Sequence, residues 1–226
     1  MTAGYWRHLI RTAPTTCIFG FIMIGLWAIT ALESRSISAS LSDSSVGSAL
    51  ILFGPAATSG LTAMMHVLGS MFIHVSISHL AVNLFMLIII GAEIERFLGS
   101  YIYAAVFIIG GIGAAAAVVW FDYTTPTAGA SGALYALMAV LIGMVKVTGG
   151  DLRAPIVLVA ANVIFSVITP EVSLWGHLGG LFTGFAMLPI VGNWRVRNSP
   201  RQQWLWLFGV TCCVLLAIFA RGWLIS

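Results

Sequence analysis

The chain has 226 residues, 60% of them hydrophobic and 8% charged, with a formal net charge of +3 and a mean hydropathy of +1.03. A soluble domain carries about 25% charged residues, so composition excludes a soluble globule and indicates a polytopic membrane protein. Cys17, Cys212 and Cys213 all lie in apolar runs and offer neither a disulfide framework nor a metal-ligand spacing.

The first apolar run follows Trp6, Arg7, His8 and Arg11. It continues to about Leu32 without a clear small-x-small cleavage site, which reads as a retained signal anchor. This first span is predicted at about 14–32. Residues 33–66 then form a long connection, polar at first (ESRSISASLSDSS), next apolar (VGSALILF), then broken at Gly54-Pro55. VGSALILF is too short to cross and is expected to lie in the outer interface or dip partway in.

The second span is predicted at about 67–91, and it carries His74, His79 and Asn83. His79 and Asn83 are four apart and share a helix face. The third span, at about 100–121, is uniformly apolar. The fourth, at about 129–148, opens on Gly-Ala-Ser-Gly and places Ser131 and Tyr135 on one face. Gly129 and Gly132 flank Ser131 and remove bulk on either side of it. The fifth, at about 154–169, contains Asn162. The sixth, at about 174–192, reads WGHLGGLFTGF, with Gly176, Gly180 and Gly184 in one stripe and His177 beside it. The seventh is predicted at about 204–224. The other connections are short, no second domain is indicated, and no strong internal repeat supports a transporter of the inverted-repeat kind. The whole chain, 1–226, is expected to be one integral-membrane domain.

Lys and Arg fix the orientation. With a cytoplasmic N-terminus, Arg7, Arg11, Arg96, Lys146, Arg153, Arg195, Arg197 and Arg201 fall inside, and only Arg35 and Arg221 outside. Seven spans then put the C-terminus outside.

Polar side chains within membrane helices are functional candidates. Gly-Ala-Ser-Gly alone reads first as a small-residue packing seam, and as a nucleophile signal it is weak. His177 supplies a base at matching depth, and a serine needs such a base to become nucleophilic at neutral pH. A glycine stripe on the sixth span, facing Gly129, Gly132 and Ala136 on the fourth, would bring the two together. His79 and Asn83 suit an oxyanion, though a polar clamp between helices is the plainer alternative. Zinc on His74, His79 and His177 would lack a matching fourth ligand. Asp122 sits in a loop, so no acid completes a Ser-His-Asp triad. A dyad is expected, its ring fixed by Tyr135 through stacking or hydrogen bonding.

HVSISHLAVN, GAEIERFLG, GASGALYAL and GHLGGLFTG, in that order over about residues 64–190, resemble the rhomboid intramembrane serine proteases. The resemblance implies an all-α fold, a six-helix core over about 14–192 with a seventh helix at about 204–224. It implies Ser131 as nucleophile, His177 as general base, and His79, Asn83 and the Ser131 N–H as oxyanion hole. Tyr135 would pack on His177, and His74 matches the first histidine of the motif. The implied partners are single-span transmembrane protein substrates, cut where they unwind, and the lipid bilayer. No nucleic acid, metal or organic cofactor is implied, and the expected site is a bacterial cytoplasmic membrane. Met65-His66 stand where many rhomboids carry Trp-Arg, and Gly176 where alanine is common. A rhomboid-like protein that binds membrane proteins without cutting them is the alternative, and a channel or transporter the third reading.

Overall fold

The computed structural model describes residues 3–38, 40–169 and 171–225. The described residues form an all-α membrane protein. An amphipathic helix α1 (Ala3–Thr12) leads into α2 (Pro14–Ser34). Three short helices follow, α3 (Ser45–Leu50), α4 (Gly54–Ala57) and α5 (Ala63–Gly69). Helix α6 (Ile77–Met86) passes through a π-helical turn at Leu87–Gly91 into α7 (Ala92–Leu98) as one rod. Then come α8 (Ser100–Phe121), α9 (Ser131–Val147), α10 (Arg153–Ile168) and α11 (Leu174–Ala186). The short α12 (Pro189–Gly192) and α13 (Trp194–Arg197) precede α14 (Pro200–Ile225).

Helix α8 is apolar on every side, as a central helix must be. Small residues let its neighbours come close. A Cβ on Gly110 would stand 2.3 Å from the Ala136 Cβ of α9, and one on Gly179 of α11 would stand 2.4 Å from the Ala117 Cβ. Helices α8, α9 and α11 thus form the packed centre. Helix α2 lays Phe19 against Phe72 and Phe107, ring centroids 5.7 and 4.6 Å apart. Helix α14 is tied on by two indoles: Trp120 donates to the Ala217 carbonyl and Trp206 to the Ala186 carbonyl, both at 2.8 Å. Helix α10 is peripheral, with only Pro155 and Ser166 buried.

Among the described residues, five stretches are long and apolar enough to cross a membrane: Pro14–Ser34, Ile77–Leu98, Ser100–Phe121, Leu174–Gly192 and Pro200–Ile225. The two remaining predicted spans are shorter, α9 with 17 residues and α10 with 16. The second span is shifted from its expected place. Residues 67–73 belong to α5 and the turn after it, and the membrane helix starts only after Ser76, whose hydroxyl accepts from the His79 N–H at 3.2 Å. At its other end the helix runs on to Leu98 because its charges are satisfied. Glu95 accepts from the Thr15 and Thr16 N–H groups at 2.9 and 2.8 Å and from the Ser100 hydroxyl at 2.6 Å. Those two amides belong to the first turn of α2, where orphan N–H groups favour an anion. Glu93 pairs with Arg96.

The long connection is a folded layer. The apolar stretch VGSALILF is used mostly as α3 and packs on protein. Leu52 bridges Thr127 in antiparallel fashion, and Gly54 N–H donates to the Tyr123 carbonyl at 3.0 Å. The His66 imidazole Nδ1 lies 2.7 Å from the Ile51 carbonyl, so His66 braces α5 against the end of α3. Met65 is half exposed.

Candidate active site

Ser131 is the first residue of α9. The chain enters through Gly129 at φ +119°, a conformation that disfavours a side chain. A Cβ there would also meet the His79 ring, 2.6 Å from Cε1. The Gly129 N–H donates to the Ser70 carbonyl at 2.8 Å, fixing this approach. No side chain caps α9, and its first intrahelical bond runs from the Leu134 N–H to the Ala130 carbonyl. The Ser131 N–H therefore has no acceptor within the helix. Negative charge near it is favoured by the helix dipole.

His177 lies in the first turn of α11, whose start is capped by the Ser173 hydroxyl. Its Nε2 is 2.7 Å from Ser131 Oγ. The glycine stripe makes this contact geometrically possible. A Cβ on Gly180 would fall 1.9 Å from the Gly132 carbonyl oxygen, and one on Gly184 would fall 2.4 Å from that of Ala136. The two helices touch backbone to backbone just below the serine and histidine.

Tyr135 stacks on His177, ring centroids 4.2 Å apart and planes at 15°. Its hydroxyl does not reach the imidazole. It lies 2.7 Å from Ser166 Oγ on α10, which in turn lies 2.6 Å from His177 Nδ1. Ser166 also donates to the Asn162 carbonyl at 2.8 Å. Sequence reasoning passed over Ser166. A signal existed: it follows Asn162 by four residues, on the same face of an otherwise apolar helix. Asn162 itself donates to the Leu158 carbonyl at 2.8 Å, a bond within its own helix. The partners of His177 include no carboxylate, and Asp122 lies on the connection before α9.

From α6, Asn83 Nδ2 donates to the His79 carbonyl at 2.8 Å, while Asn83 Oδ1 and His79 Nδ1 are buried without a hydrogen-bond partner. His74 is placed differently from expectation. It precedes α6 in a non-helical segment, is fully buried with both ring nitrogens unpartnered, and meets His79 edge-on at 5.1 Å. It supports His79 from behind and does not line the cavity.

That cavity, of about 500 Å³, is lined by Ser131, His177, His79 and Asn83. Asp122, Thr125 and Glu171, from the connections at the same end of the helices, also border it. Its walls include Val82 and Met86 of α6 and Phe165 of α10. Among the described residues no three His, Cys, Asp or Glu side chains converge to hold a metal ion.

Fold and site together define a polytopic helical membrane protein in which a serine and a histidine from two helices meet at a cavity. The rhomboid-domain family model matches residues 61–194, more than half of the chain, and the chain belongs to the rhomboid family. It is 25% identical over 172 residues to Rhomboid-related protein 3 of Homo sapiens, covering 67% of this chain and 42% of that one. It is 30% identical over 145 residues to RHOMBOID-like protein 6, mitochondrial, of Arabidopsis thaliana, covering 58% and 47%. Rhomboid protease GluP of Bacillus subtilis (strain 168) is 30% identical over 129 residues, covering 53% and 24%. The chain thus spans less than half the length of these relatives.

Proposed function

We propose that this protein is an intramembrane serine endopeptidase that cleaves single-span membrane proteins in or near their membrane segment. The observation that carries the reading is the 2.7 Å contact between Ser131 Oγ and His177 Nε2 at the wall of a cavity. A relative whose name states protease activity supports it.

Ser131 gives its proton to His177 Nε2 as its oxygen attacks the scissile carbonyl. The oxyanion is held by the Ser131 N–H at the start of α9, by the amide hydrogen of Asn83 not spent on His79, and by His79. His177 then passes the proton to the departing amine, leaving an acyl-enzyme on Ser131. Water entering past Asp122, Thr125 and Glu171 loses its proton to His177 and attacks the ester. That releases the acid product and returns the proton to Ser131. A substrate helix must unwind to present a carbonyl here, so small or helix-breaking residues at the cleavage site are favoured. The enzyme is a single integral-membrane domain that uses no metal or organic cofactor. It works in a bacterial cytoplasmic membrane with its N-terminus inside.

The test is labelling of purified protein with a fluorophosphonate, alongside cleavage of a model single-span substrate. Labelling of the wild type, lost in Ser131→Ala, with cleavage lost in both Ser131→Ala and His177→Ala, is expected. Undiminished cleavage by Ser131→Ala would overturn the mechanism, and a wild type that binds the substrate but neither labels nor cleaves would favour a binding role.

A further inference from the structure

The histidine base has a third partner that lies outside its own sequence motif. Ser166 is one of only two buried residues on α10, a helix otherwise turned outward. Its hydroxyl meets three polar atoms: the Asn162 carbonyl at 2.8 Å, the Tyr135 hydroxyl at 2.7 Å and His177 Nδ1 at 2.6 Å.

A hydroxyl has one hydrogen to donate and two lone pairs to accept with. The Asn162 carbonyl can only accept, so the one hydrogen of Ser166 goes there. Both lone pairs are then left for Tyr135 and His177, and both partners must donate. Tyr135 can do so with its O–H. His177 can do so only if Nδ1 carries hydrogen. In the neutral imidazole this leaves Nε2 bare and facing Ser131 Oγ, the form a general base requires.

We propose that Ser166 is a positioning residue that holds His177 in the Nδ1–H tautomer, with the Tyr135 hydroxyl filling its remaining lone pair. The proposal rests on the reading of Ser131 as nucleophile and His177 as base. Ser166 touches neither substrate nor the reacting atoms. It does for the imidazole what a buried carboxylate does in a Ser-His-Asp site, orienting the ring and fixing the tautomer, without bringing a charge into the membrane. When His177 takes the serine proton, Nδ1 still donates to Ser166, so the bond survives the step with no rearrangement. The stacked Tyr135 ring sets the plane of the imidazole, and Ser166 sets which nitrogen points at Ser131.

The experiment is nitrogen NMR of protein labelled at its five histidines, with the His177 signals assigned by their loss in His177→Ala. In the wild type, Nδ1 is expected to be protonated and Nε2 bare. In Ser166→Ala the hydrogen should redistribute toward Nε2. kcat should fall about tenfold to a hundredfold, reaching at most the lower end of the roughly 10²–10⁴ that general acid–base assistance supplies, since the base itself remains, with KM little changed. Ser166→Thr keeps a hydroxyl at the same place and able to bond the carbonyl four residues back, so it should restore both tautomer and kcat.

A wild-type His177 protonated at Nε2 would overturn the proposal. So would Ser166→Ala with wild-type kcat, or Ser166→Thr as impaired as Ser166→Ala with both folded by thermal unfolding. The wild-type tautomer decides the matter if Ser166→Ala fails to fold. Absence of fluorophosphonate labelling in the wild type would sink the protease reading alone, because the tautomer is measured without activity.

Discussion

Asn83 has two amide hydrogens, and one is already committed to the His79 carbonyl. The other is free to meet a developing oxyanion, while the buried Oδ1 has no hydrogen-bond partner. Asn83→Ala removes that donor and leaves the cavity polar on its other side. Removing one oxyanion donor costs about 10²–10³ in kcat in well-studied hydrolases. The expected outcome is therefore a drop of about 10²-fold in kcat, with retained fluorophosphonate labelling of Ser131. Cleavage kinetics on a model substrate check it, and an effect confined to KM would assign Asn83 to substrate binding. At this scale the residues legible in sequence were those that are rare in membrane helices. Ser131 and His177 stood out by their company of glycines and by matching depth. Ser166 did not, because a serine is an ordinary small residue in a lipid-facing helix and only its partners distinguish it. His74 was misplaced because a histidine in an apolar run carries no sign of whether the backbone around it is helical.

Between elements, the contact that matters is the crossing of α9 and α11. Gly132 and Gly180 meet with no room for a methyl group. Gly180→Ala would force the helices apart by about 1 Å, and a misplacement of that size can cost about 10²-fold in rate. Gly209, on α14, has nothing within 4 Å of an added Cβ. Gly209→Ala is thus the matched control, a glycine-to-alanine change in an apolar helix without a close neighbour. Gly180→Ala is expected to lower both the unfolding temperature and cleavage, and Gly209→Ala neither; both are read on purified protein. The glycine stripe was legible from its spacing of four, which needs no knowledge of the partner helix. The limits of the second span were not. Hydropathy registers apolar length and is blind to a backbone break, so residues 67–73 read as membrane helix although they fold into α5 and a turn. It also stopped short of α7, whose Glu95 is stabilised by the first turn of α2, a partner some 80 residues away in sequence.

Across the whole molecule, most of the cations lie at the end opposite the cavity. Following the helices, Arg7, Arg11, Arg96, Lys146, Arg153, Arg195, Arg197 and Arg201 fall at the end away from Ser131. Arg35 closes α2 at the cavity end, and Arg221 sits there over Trp120 and Tyr123 at 5.6 and 5.4 Å. Cations concentrate on the cytoplasmic side of membrane proteins, so under the proposed orientation the cavity would open outward and the serine would draw its water from the outer face. The connection before α9 and the connection after it report the two sides directly. With Cys17, Cys212 and Cys213 replaced by alanine, Thr125→Cys and Asp151→Cys each place one exposed thiol at opposite ends of α9. On intact bacteria expressing the protein, a membrane-impermeant maleimide is expected to label Thr125→Cys at once and Asp151→Cys only after permeabilisation. Neither change removes a cation, so the bias that sets the orientation is left in place. The reverse pattern would put the cavity on the cytoplasmic side and require the substrate to be cut from within.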